Sequence, residues 1–199
     1  VAPSPLYNEI TRVPLIARVP GVEPGRRRAM TTAPDLLPTV LDLAGVATPP
    51  TAQGWSFADV IRGQRDEHRP FVISSWPLYF AEGEFTSAID GRTRRIASYM
   101  PITVATRERS LILNGPTQPP ELYDLTNDPG EQTNVLTSNV GEGSALGETA
   151  ISFLERQGTP EEYLKPRRRA LEEHASNVTP VAGGSTEVEE QQDTLEEAG

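Results

Sequence analysis

The sequence predicts a mixed α/β chain. Three features carry that prediction: an apolar, β-branched run followed by an amphipathic helix within residues 1–62, short strand-like runs separated by turn residues from Phe71 onward, and a helical repeat over Ser144–Gln157. Val13-Pro14-Leu15-Ile16-Ala17-Arg18-Val19, ended by Pro20-Gly21, reads as a strand buried in a parallel sheet, where both faces are covered and polar alternation disappears. The next element is a helix. Thr31 or Thr32 can cap it, Pro34 suits its first turn, Asp35 suits the positive end of its dipole, and Gly45 ends it. Leu36, Leu37, Val40, Leu41 and Leu43 supply its apolar face, expected to turn inward. Ser56–Arg62 is expected to form a short helix capped by Ser56, with Phe57, Val60 and Ile61 facing the core, closed by Gly63.

The middle of the chain offers strands at Phe71–Ser75, Phe85–Ile89, Arg95–Tyr99, Leu111–Leu113 and Leu122–Leu125. Asp90-Gly91 is a hairpin signal, because both residues accept positive φ. Leu146, Ala150, Phe153 and Leu154 place one apolar stripe on a helix that can cover this small antiparallel sheet. Beyond Gly158 the periodicity fades, and Gly183-Gly184-Ser185 leads into an acidic stretch with little apolar mass. The expected organisation is therefore an α/β segment over 1–62, a small antiparallel subdomain with its helix over 63–157, and a disordered polar acidic tail over 158–199.

With 28 acidic against 18 basic residues, the net charge is -10, which excludes a general nucleic-acid binder; such a surface needs excess cations facing phosphates. Zero Cys removes disulfides, thiolate zinc sites and a cysteine nucleophile from this segment. No apolar run approaches the length of a membrane helix, and the compartment is not readable from the sequence. His68 and His174, the only histidines, stand far apart and are expected at the surface rather than as metal ligands.

Leu6-Tyr7-Asn8-Glu9-Ile10-Thr11-Arg12-Val13-Pro14-Leu15-Ile16-Ala17-Arg18-Val19-Pro20-Gly21 resembles the "LYEE-x-x-RVPLI-x-R-x-PG" stretch of sulfatases of the alkaline-phosphatase-like superfamily. Ala33–Val46 is similar to that family's "DL-x-PT-x-LDLAGV" helix, and Glu121–Asn134 to its "ELYDL-x-NDP-x-E-x-N" ending. Three blocks in the family's order make the resemblance specific. It implies that residues 1–62 are the C-terminal part of an alkaline-phosphatase-like α/β/α core, followed by the small sheet. It also implies a parent that hydrolyses sulfate esters of small molecules or glycans, using a formylglycine made in a "C/S-x-P-x-R" motif and a calcium or magnesium ion. Both would precede Val1, so the missing N-terminal part of the same enzyme is the expected partner, and no catalytic or metal residue is assigned within this chain.

The chain departs from the family pattern at Pro3, where many sulfatases carry a substrate-contacting Lys. Ser75-Trp76-Pro77-Leu78-Tyr79 imitates the nucleophile motif, but Tyr79 stands where Arg is required. Trp76 and Tyr79 are the candidate substrate-binding residues, since aromatic faces suit sugars and aryl groups, although core packing accounts for them equally well. Asp124, Asp128 and Glu131 read as turn and capping residues, Glu9 and Arg12 as a pair across one helical turn, and Arg26-Arg27-Arg28 as a solvated turn. Two further functions share the same blocks: a phosphodiesterase or phosphonate-ester hydrolase of the superfamily, and a non-catalytic interaction module.

Overall fold

In a computed structural model of the chain, the described residues are 6–76, 83–86, 93–96, 100–114 and 118–178, with backbone alone for 83–86, 93–96 and 174–178. Tyr79, the Asp90-Gly91 turn and residues 179–199 lie outside them. The N-terminal third is built from short helices: α1 (Asn8–Thr11), α2 (Leu36–Leu43), entered through a 3-10 turn at Ala33–Asp35, and α3 (Ala58–Ile61). Pro34 sits in that entry turn, and Gly45 closes α2 at φ +70, where a side chain would be strained. The Ser56 hydroxyl accepts the Ala58 N–H at the start of α3, and Phe57, Ala58 and Val60 are buried.

The centre is a four-stranded antiparallel sheet in the order β1-β4-β5-β6, made of β1 (Val72–Ser75), β4 (Ile102–Ala105), β5 (Arg109–Leu113) and β6 (Glu121–Asp124). Its registers place Val72 opposite Ala105, Ile102 opposite Leu113 and Leu111 opposite Leu122. A separate antiparallel pair joins β2 (Gly83–Thr86) to β3 (Thr93–Ile96), so the two strands meet as a hairpin requires, shifted a few residues ahead of their expected bounds. β4, which is buried along its whole length, shows none of the alternation that marks a half-exposed strand.

Helix α4 (Val140–Arg156) turns Gly143, Gly147, Ala150, Ile151 and Leu154 inward at helical spacing. Val104, Leu111, Leu113, Leu122, Leu136, Ala150, Ile151 and Leu171 form the main core. Two glycines bring partners close: a β-carbon on Gly143 would meet Leu136, and one on Gly147 would meet Leu171.

The structure corrects the expected organisation at three places. Residues 158–178 are not all polar tail: α5 (Glu161–Val178) packs on α4, with Leu164 buried against Ile102 and Leu154. Arg167 is buried on that face, donating to the Met100 carbonyl at 2.6 Å and to the Tyr163 carbonyl. Val13–Val19 is not a strand; its backbone N–H groups pair with no described residue, and Ile16 is 94% exposed. A parallel strand exists only beside another strand, and none among the described residues runs next to it. Helix α2 buries Pro38 and Thr39 and leaves Leu36, Leu37 and Val40 exposed, so most of its expected core face is open.

Because α5 covers α4 and the end of β4, Leu164→Ala and Leu171→Ala should each lower unfolding free energy by about 2–3 kcal/mol in urea titrations. Losses below about 0.5 kcal/mol for both would mean that α5 is not part of the folded core.

Candidate functional site

Asp35 is the most elaborately held polar group in the N-terminal third. It is fully buried, at the end of the turn that starts α2. Its Oδ2 accepts the Thr32 N–H at 2.9 Å and the Arg69 Nε–H at 2.7 Å, while Oδ1 accepts the Trp55 N–H at 2.8 Å and a second bond from the Arg69 guanidinium. His68 Nε2 lies 3.3 Å from Oδ2. Arg69 also stacks on Trp55, 4.3 Å from the ring centre, and the His68 ring meets Trp55 and Phe57 edge-on. Burial alone would raise the Asp35 pKa; the Arg69 bonds, the Trp55 and Thr32 N–H groups and the Arg69 charge outweigh it and hold the carboxyl well below its ordinary range. Asp35 is therefore more than a helix-start acid, and His68, whose side chain is only 3% exposed, is not a surface residue.

A second polar group ties the N-terminal segment to the sheet. Glu121 accepts the hydroxyl protons of Tyr7 at 2.9 Å and Tyr123 at 2.6 Å, and an Asn114 amide N–H at 2.9 Å. Burial and the bonds to Glu121 push both phenol pKa values up, so the rings stay protonated donors. Glu131 is buried at φ +52, a conformation that disfavours side chains, and its Oε2 accepts the Asn8 N–H at 2.6 Å at the start of α1. Thr103 completes the attachment by donating to the Leu6 carbonyl at 2.8 Å. Asp124 accepts from Thr126 and Asn127, and Asp128 accepts the Gln132 and Thr133 N–H groups at 2.8 and 2.7 Å, which are turn duties.

Several large apolar side chains near the two anchors are exposed. Ile10 is exposed on α1, Val13, Leu15 and Ile16 on the segment after it, and Leu36, Leu37, Val40 and Trp55 on and near α2. Singly exposed apolar residues are ordinary, but this many within two short stretches is the signature of an interaction surface. Trp76 follows β1 and is 38% exposed. It has interactions and is not a free ring, and the second candidate, Tyr79, lies outside the described residues. No ion pair joins Glu9 to Arg12 among the described residues. Sequence reasoning missed Arg69, because a lone arginine in a polar loop carries no local signal of a partner 34 positions away.

No group of three or more His, Cys, Asp or Glu able to hold a metal occurs among the described residues, and none of their helices is long and apolar enough to cross a membrane. Residues 4–144 match the family model described as N-sulphoglucosamine sulphohydrolase, C-terminal. The chain belongs to this sulfatase family. It is 35% identical over 134 residues to a Delta 4,5-hexuronate-2-O-sulfatase of Bacteroides thetaiotaomicron, covering 65% of this chain and 25% of that protein. It is 26% identical over 133 residues to Arylsulfatase K of Mus musculus, covering 66% of this chain and 23% of that protein. The solved structure of a 2-O GAG sulfatase aligns with a TM-score of 0.42 and 28% identity, over 61% of this chain and 24% of that one. The chain thus spans about a quarter of the length of the curated sulfatases it matches. Both anchors lie inside the family-matched span.

Asp35→Asn should destabilise the chain by about 3 kcal/mol at pH 7, because it leaves Arg69 partly buried without its anion. The folded pKa of Asp35 is depressed, so its contribution is fully present above the unfolded carboxylate value of about 4 and is lost as pH falls below it. Urea titrations of parent and variant should therefore converge as pH is lowered from 5 to 2, whereas parallel pH profiles would show that Asp35 is not held ionised by Arg69.

Proposed function

We propose that this chain is the C-terminal portion of a sulfatase that hydrolyses sulfate esters on sulfated sugars. Its part in that enzyme is to complete the α/β/α core and carry the small antiparallel sheet, while the rest of the polypeptide supplies the nucleophile and the metal. The observation that carries this reading is the apolar surface of Val13, Leu15, Ile16, Leu36, Leu37 and Val40, left exposed in a chain that matches a quarter of its relatives' length. An independent interaction module would have no reason to keep such a segment uncovered, since large apolar side chains left in water are unfavourable until another surface buries them. The occupant of that surface is the remainder of the same enzyme, whose core strands and helices would flank Val13–Val19.

The sugar substrate is supported by the relative named Delta 4,5-hexuronate-2-O-sulfatase, and the sulfate-ester chemistry also by an Endo-4-O-sulfatase of the same bacterium, 30% identical over 139 residues. Calcium or magnesium and a formylglycine belong to the upstream part. Asp35 and Asp42, the two carboxylates at α2, are committed elsewhere, Asp35 to Arg69 and Asp42 to Ser56 and Arg62. Mechanistically this chain supports the reaction by position: Glu121 and Glu131 fix the start of the Val13–Val19 segment, and Asp35 fixes α2 behind it.

Purified residues 1–199 should release no product from an arylsulfate chromogen with calcium, magnesium or manganese, whereas the full-length enzyme should turn over and lose at least about tenfold in assembled, active protein on Ile16→Asp. Metal-dependent release by the isolated chain above a heat-denatured control would overturn the assignment of chemistry to the upstream part.

A further inference from the structure

The segment that leads from the open apolar stretch into α2 is basic in an otherwise acidic chain: residues 12–28 carry Arg12, Arg18, Arg26, Arg27 and Arg28 against Glu23 alone, while the whole chain has a net charge of -10. These arginines are not equivalent. Arg27 is turned onto the protein: its Nε–H donates to the Val60 carbonyl at 2.9 Å near the end of α3, and its guanidinium occupies the space that β-carbons on Gly25 and Gly63 would need. The cation thus meets the negative end of a helix, and the two glycines leave room for it.

Arg26 and Arg28 flank this pinned residue on a backbone with no helix, strand or turn. Both are exposed, and neither makes an ion pair or hydrogen bond with any described residue. Arg65, two positions beyond Gly63, is likewise exposed and unpaired among the described residues. The nearby acids do not neutralise the group: Asp59 pairs with Arg62 at 3.6 Å, Glu67 stands 3.9 Å from Arg107, and Glu23 and Asp66 remain exposed. Other described arginines are paired, as with Arg69 on Asp35, Arg109 on Asp124 and Glu142, and Arg168 on Glu155.

We propose that Arg26 and Arg28 form an accessory binding site for a sulfated polysaccharide, displayed by the Arg27 anchor. Guanidinium forks match sulfate and carboxylate oxygens in a bidentate manner, and two forks two positions apart can engage successive anionic groups of one chain. The assignment of sulfated sugar rather than another polyanion rests on the sulfatase reading above. The site would hold polymeric substrate near the enzyme without taking part in ester cleavage.

The test is binding by the full 199-residue chain, which on that reading has no sulfate-cleaving centre to compete. The probes are a heparin octasaccharide, the same octasaccharide after chemical desulfation, and a single-stranded DNA oligomer, each titrated across a salt series. The parent chain should bind the sulfated probe with affinity falling steeply with salt. Arg26→Ser/Arg28→Ser should weaken it about tenfold at low salt and reduce the log–log salt slope by about one to two, while Arg156→Ser, which removes an exposed arginine from the end of α4, should change neither. Unchanged affinity in the double variant, or equal binding of the desulfated probe or the DNA, would overturn the site. Binding needs no turnover, so failure here leaves the sulfatase reading standing, and an inactive full-length enzyme would count against that reading whatever the chain binds.

Discussion

Along Val13–Val19 no backbone N–H pairs with a described residue, and Val13, Leu15 and Ile16 hold apolar side chains exposed to water. A peptide group in water can hydrogen-bond to solvent, so the segment is permitted; what is unfavourable is leaving Val13, Leu15 and Ile16 exposed, each worth roughly 1.5–3 kcal/mol when buried. The same deficit appears on α2, where Leu36, Leu37 and Val40 face outward although Pro38 and Thr39 are covered. Both deficits disappear together if further strands and helices flank the segment, and this requirement shapes how the rest of the chain is used.

The polar anchors make sense as devices that hold this surface in place. Tyr7, Asn8 and Leu6 are bonded to Glu121, Glu131 and Thr103 across more than 90 positions of sequence, so the start of the apolar segment is fixed to the sheet. At its far end Arg27 is bonded to α3, and Asp35 links α2 to Trp55 and to Arg69, three residues before β1 begins. Buried charges are retained where neutral packing would serve stability as well, and a role in fixing one arrangement of the N-terminal third accounts for the Asp35–Arg69 pair. The positive φ of Glu131 fits the same pattern: the strain is offset by a short bond that caps α1.

Much of the sheet was legible in the sequence, because Phe71–Ser75, Leu111–Leu113 and Leu122–Leu125 are short apolar runs bounded by turn residues. β4 was not, since Ile102-Thr103-Val104-Ala105 is buried on both sides and offers neither alternation nor length. Helix α5 escaped notice because its buried face is Leu164, Arg167 and Leu171, an apolar stripe interrupted by a charge that looks like a solvated position. The Val13–Val19 strand was read from a pattern that belongs to a buried parallel sheet, and the pattern remains informative even though the segment is unpaired: it records the environment the residues are suited to. The Asp35 site was hidden for a different reason. Its partners come from positions 32, 55, 68 and 69, and no local period connects them.

The most direct test is amide hydrogen exchange across residues 13–19, compared between the isolated chain and the full-length enzyme. The account predicts near-random-coil exchange in the isolated chain, alongside protected amides in β4, β5 and α4, and strong protection of 13–19 in the full-length protein. Protection of 13–19 in a monomeric isolated chain would contradict it, because the segment would then have found its partners without the rest of the enzyme.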